Sequence, residues 1–144
     1  MGWRGLRSVL VLLVAIAACT EPSEPSSISA QFILTDVDGV SLPAGSVPGP
    51  TIVSGTMVLN QLGFAAVTED RVESNGTHTT ITTHYIYTIR ASQITFADPV
   101  PCPPNANCVA PPTGMILDNG LRVQLVFPPG YLFMVYNYRV SATP

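Results

Sequence analysis

The 144-residue sequence contains no lysine: its six basic residues are all arginine, set against nine acids for a net charge of −3. The lack of a basic cluster to displace counterions from a phosphate backbone argues against nucleic acid as a partner. Charge of either sign is scarce, at 10% of residues against roughly 25% in an average soluble domain. Hydrophobic residues still make up 47%, so the composition is not that of a disordered chain. Helical periodicity is missing beyond the N-terminal segment, and 14 Pro and 11 Gly interrupt the chain too often for a helical bundle or a coiled coil. A polytopic membrane protein and a Rossmann-type enzyme are excluded on the same grounds. Catalytic signatures are missing too: there is no Gly-x-Ser-x-Gly, no His-Glu-x-x-His and no phosphate-binding glycine loop. The expectation is a non-enzymatic protein without a cofactor, long enough for one compact domain and not two.

What is present begins with an address. Arg4 and Arg7 form a short basic region, and Ser8 to Ala18 supply an apolar run of 11 residues. A helix needs about 20 apolar residues to span a bilayer, so this run fits the core of a secretory signal instead. It ends in Ile16-Ala17-Ala18-Cys19, which resembles the lipobox of bacterial lipoproteins. That resemblance implies cleavage before Cys19, a diacylglycerol thioether on its sulfur and acylation of the new amine. An ordinary signal peptide with an incidental cysteine is the alternative. Two or more acyl chains hold a protein stably at a membrane, at about 0.8 kcal/mol per buried CH₂. Thr20 rather than Asp after the cysteine implies, by the same resemblance, the outer membrane where the source has two. The expected division is therefore a signal peptide over 1–18, the lipidated Cys19 with a Pro/Ser/Glu tether over 19–27, and one domain over 28–144.

From Ile28 onward strand and turn signals dominate. Strands are expected at about 29–37, 51–60, 64–74, 77–90, 93–97, 114–117, 121–127 and 131–140. Asp38-Gly39 and Asn75-Gly76 are tight-turn signals between them. Eight strands with mostly short links imply antiparallel neighbours, hence an all-β fold: a small eight-stranded meander β-barrel, with a two-sheet β-sandwich as the alternative. Alternation assigns Ile81, Tyr85, Tyr87 and Ile89 to one face, Leu121, Val123, Leu125 and Phe127 to another strand's inner face, and Val53, Met57 and Leu59 to a third. The inward set is expected to be bulky: Phe32 or its neighbour, Met57, Phe64, Tyr85, Tyr87, Phe127, Tyr131 and Phe133. The last strand reads as apolar on both faces, which makes it a candidate contact surface.

The order of these segments resembles that of small lipocalin-like lipoprotein domains of an uncharacterised family. The resemblance rests on Phe32 to Pro43, with its strand, Asp-Gly turn and Leu-Pro; on Ser54 to Leu59; on Tyr85 to Arg90 followed by Ile94 to Phe96; and on the closing runs Leu121 to Phe127 and Tyr131 to Arg139. It implies the eight-stranded barrel and no catalytic residues.

Few side chains can carry chemistry. Cys102 and Cys108 flank five residues, and in an oxidising compartment they are expected to form a disulfide, worth about 2–2.5 kcal/mol if chain entropy alone counts. A metal centre there would need further ligands, and none is near in sequence. His78 and His84 fall on one face of a strand, about 20 Å apart, too far to share a metal. Glu69, Asp70 and Glu73 with Arg71 read as a solvated outer patch, and Asn75-Gly76-Thr77 as a turn. Two functions follow. The first is a cell-envelope protein, held to the membrane by its N-terminal lipid, that serves as a structural or interaction module for an envelope protein partner. The second is a barrel that binds a small apolar ligand, which needs an interior cavity of about 300 Å³ or more.

Overall fold

The computed structural model describes residues 27–45, 49–104, 106–131 and 133–142. The expected signal peptide, Cys19 and the tether up to residue 26 lie outside the described residues. Ten strands form one sheet: β1 (Ala30–Val37), β2 (Val40–Ser41), β3 (Ala44–Gly45), β4 (Thr51–Leu59), β5 (Phe64–Val72), β6 (His78–Arg90), β7 (Gln93–Ala97), β8 (Thr113–Leu117), β9 (Arg122–Val126) and β10 (Val135–Val140). From β4 to β10 each strand pairs antiparallel with the next, β10 pairs with β1, and β1 pairs with β4. The eight long strands therefore close into an up-and-down barrel. Closure through β1 and β4 leaves one sheet, not the two of a sandwich. The two-residue strands β2 and β3 flank β1 and β4 at one end.

Turn chemistry explains the connectivity. Asp38 and Gly39 both take positive φ, 48° and 78°, which is the two-residue hairpin geometry that matches strand twist. The Asp38 carboxylate also accepts the N–H groups of Met134 and Val135, and so pins the start of β10 to the β1–β2 turn. In the β5–β6 turn the Asn75 Oδ1 accepts the Thr77 N–H, with Gly76 at φ 82°.

The barrel interior is filled. Phe32, Met57, Tyr87, Ile94, Leu125, Tyr136 and Tyr138 have almost no exposed surface. Each large apolar side chain buried in this way contributes about 1.5–3 kcal/mol. Gly114 is a packing necessity: a Cβ there would sit 2.7 Å from the Gln124 carbonyl oxygen and 2.8 Å from the Ile94 side chain.

Several face assignments are corrected. Val53 is exposed because a bulge between Ile52 and Ser54 shifts the alternation, and Ile52 takes the buried place instead. Leu121 precedes β9 at the end of a short 3₁₀ turn and is exposed. Phe64 opens β5 at the barrel rim and is half exposed. The last strand is not apolar on both faces: it begins at Val135, not Tyr131, and points Tyr136 and Tyr138 inward with Asn137 and Arg139 outward. Met134 remains outside it, its N–H taken by Asp38.

Candidate functional site at the barrel mouth

Strand β6 is longer than the wall it belongs to. Its C-terminal part, Ile86–Arg90, pairs with β7, whereas His78–Tyr85 pairs with β5 alone. Along that stretch both faces are largely exposed, and only from Tyr85 does inward burial begin. Ile81, which alternation placed in the core, is accordingly 37% exposed. The gap between this half of β6 and the Phe127–Tyr131 turn forms the mouth of the barrel, a groove of about 270 Å³ flanked by Ile81, Thr83, Tyr85, Phe127 and Tyr131.

Its floor is polar. Glu69 points inward from β5 and is only 7% exposed, so the expected solvated patch is overturned for this residue. Arg71, two residues on and so on the same face, donates to the Glu69 carboxylate through Nε at 2.9 Å and through Nη2. The Arg71 guanidinium acts electrostatically on Tyr136, and Tyr85 and Tyr131 both line the groove. Phe127 packs against both Tyr131 and Tyr136, with ring centroids 4.7 Å apart in each pair. The Tyr138 hydroxyl is fully buried near Glu69 without a hydrogen-bond partner among the described residues.

Burial pushes the Tyr85, Tyr136 and Tyr138 hydroxyls above the usual tyrosine range, and the Glu69 carboxylate nearby adds to the effect. At neutral pH these groups are protonated. Burial works against the Arg71 cation, but the bonded Glu69 carboxylate outweighs it and raises its pKa. The cluster thus consists of a satisfied ion pair ringed by neutral phenols. Such a set positions and rigidifies; it presents no free base or activated nucleophile.

Asp70 points the other way, onto the outer wall, where the Ser54 and Thr80 hydroxyls donate to it at 2.6 and 2.7 Å and hold its pKa below the usual value. The residues singled out from sequence are not brought together. Cys102 and Cys108 form the expected disulfide, with Cα atoms 6.0 Å apart, in a loop whose described residues from Asp98 to Ala110 are all exposed. Cys19 lies outside the described residues. His78 and His84 lie on the exposed outer face of β6. A wider groove of about 520 Å³ crosses the outer wall between β1, β10 and β9. Its polar groups satisfy one another: Asn137 donates to Asp36 at 2.6 Å, and Gln124 donates to Asn137 at 3.0 Å.

Sequence reasoning missed the mouth because it assigned Glu69 by its charge. The signal that finds it is Glu-x-Arg on one face of a strand, where the pair can satisfy itself while facing inward. In comparison with known proteins, the chain matches no family model, no curated protein and no solved structure.

Proposed function

We propose that the protein is a lipid-anchored cell-envelope protein whose work is done by its outer surface, as a structural or interaction module. The observation that carries this reading is the filled barrel: Tyr87, Tyr136, Tyr138, Phe32 and Met57 occupy the space in which a carrier would hold its ligand. The mouth groove, at about 270 Å³ and open to solvent over a charged floor, is a poor store for an apolar molecule. The lipid anchor rests on the Ile16-Ala17-Ala18-Cys19 string. Native mass spectrometry of the detergent-solubilised protein tests the reading: the expected mass is that of the lipidated chain, or a whole multiple of it, with nothing added. A small-molecule mass beyond that, lost on denaturation, would replace the interaction module with a ligand carrier. Cys19→Ser is expected to release the protein from membranes; retention would refute the anchor.

A further inference from the structure

The half of β6 that has no second neighbour among the described residues has a property that names its partner. Tyr87 donates its N–H to the Gly63 carbonyl at 2.8 Å, so the odd-numbered residues of β6 aim their backbone groups at β5. The even-numbered residues aim theirs at the opposite edge, where Thr88 faces Thr95 across the ladder to β7. Below Ile86 that ladder stops. His78, Thr80, Thr82 and His84 therefore direct their N–H and C=O groups at an edge on which no strand lies among the described residues. Natural proteins blunt such edges with lysine, proline or a bulge. This stretch has neither residue, and its register with β5 runs from His78 to Ile86 without a shift.

The sequence along the edge is His78-Thr79-Thr80-Ile81-Thr82-Thr83-His84, which reads the same in both directions about Ile81. Ile81 also lies at the middle of the free stretch, bounded by the β5–β6 turn on one side and by the Ile86–Ala97 pair on the other. We infer that the occupant of this edge is a second copy of the chain, paired antiparallel about a two-fold axis through Ile81. The inference rests on the interaction reading above and deepens it.

Every position of the register is satisfied. Thr80 meets Thr82 of the second copy and His78 meets His84 of the second copy as hydrogen-bonded pairs, because these are the residues whose backbone groups face outward. With both halves counted, that makes about eight new inter-strand hydrogen bonds. Ile81 meets its own counterpart as a non-hydrogen-bonded pair, the closer kind, on the side facing the mouth. Its partly exposed side chain there joins the apolar surface of Phe127 and Tyr131. On the outer face the Thr80–Thr82 pairs extend the threonine ladder already present between Thr68 and Thr82, whose hydroxyls are 3.0 Å apart. The ladder ends where it must: the register would bring Gly76 of the second copy opposite Ile86, and Asn75-Gly76 is where that copy's own strand turns back. The interface is isologous and closes at two copies, so it removes the free edge without templating a fibre.

Cross-linking tests the axis. In the register, two Cα atoms at position 81 lie about 4.5 Å apart, within disulfide range. Two at position 83 lie roughly 13 Å apart, outside it. The full chain in detergent carrying Ile81→Cys is expected to link under mild oxidation, giving the tryptic peptide Val72–Arg90 joined to itself, while Thr83→Cys stays unlinked. Sedimentation of the unmodified protein is expected to show a dimer. Thr82→Pro removes an edge N–H without touching the backbone bonds to β5, losing only the Thr68 hydroxyl contact there, and is expected to weaken association by about tenfold or more. A monomer at all concentrations, or equal linking at positions 81 and 83, overturns the dimer. Either result leaves the interaction module standing; a bound small molecule in the native mass spectrum removes the module whatever the oligomeric state.

Discussion

Replacing Arg71 by Met should expose the energetics of the barrel mouth. Met keeps much of the side-chain volume and removes the cation. Glu69, 7% exposed, then holds a carboxylate among Tyr85, Tyr136 and Tyr138 with no counter-charge. Breaking a buried pair in this way costs about 3–5 kcal/mol. The Arg71 side chain is 21% exposed at the open end of the groove, so water reaches the site and the expected loss falls to about 2–3 kcal/mol. For a domain of this size that is a fall in Tm of roughly 8–12 °C.

Urea melts of the wild type and the variant at neutral pH read this loss directly. Glu69→Gln leaves only a cation that can turn to solvent, and should cost about 1 kcal/mol. The double variant Glu69→Met/Arg71→Met buries no charge and should recover most of the loss. A deficit for Arg71→Met below about 1 kcal/mol would refute the claim that Arg71 holds the inward-facing Glu69 carboxylate.

Tyr87→Phe should cost about 1–3 kcal/mol in urea melts, because the hydroxyl accepts the Ile28 N–H at 2.9 Å and is shared at 2.7 Å by the carbonyls of Ile28 and Asn60. A loss within error would mean that water takes over all three groups. Gly114→Ala should destabilise by about 1–3 kcal/mol, since the new methyl meets the Gln124 carbonyl and the side chains of Leu125 and Ile94 below contact distance. Asp38→Ala should cost about 1–2 kcal/mol and speed amide exchange at Met134 and Val135, the two N–H groups that its carboxylate accepts. Cys102→Ser/Cys108→Ser should change global stability by less than about 1 kcal/mol, well under the chain-entropy figure. The described loop residues are all exposed, so opening the bridge frees the native loop as well as the unfolded one.

The parts of the fold legible in the sequence were those set by local chemistry. Asp38-Gly39 and Asn75-Gly76 mark hairpin turns through backbone conformations few other residues adopt, and strand limits follow from them to within a few residues. The inward faces were legible wherever alternation runs unbroken, as at Tyr85, Tyr87 and Ile89. They were lost at bulges. One extra residue at Val53 exchanges inside for outside, and Ile52 and Val53 are equally apolar, so hydrophobicity does not reveal the exchange. The delayed start of β10 depends on Asp38, nearly a hundred residues earlier, and no local pattern carries it. The same holds for Ile81: its alternation is that of a core residue, but the strand that would cover it, β7, ends short.

The two ends of the barrel have different uses. Ile28 is bonded to Tyr87 and lies with Ile89, Ala91 and Ser92 at the end of the barrel away from the mouth. The free edge of β6 begins beside the Glu73–Thr77 turn at the other end of the same strand, some 13 residues and about 40 Å away. In a single copy, a lipid on Cys19 joined to the base by a short Pro/Ser tether would leave the mouth and the edge free to face away from the bilayer. Both copies of an Ile81-centred dimer would have to reach one membrane from their bases. The two-fold pairing runs the two β6 strands in opposite directions, so it points the bases apart along the strand axis. The strands must then lie roughly parallel to the membrane plane, with each tether reaching down from its own end. Shortening the 20–27 segment therefore restrains the dimer more than it restrains anchoring, and Ile81→Cys cross-linking in intact membranes should fall as the tether is cut back while the membrane-bound fraction stays constant. Cross-linking that is unaffected by tether length would mean that the two bases do not reach a common bilayer in this way.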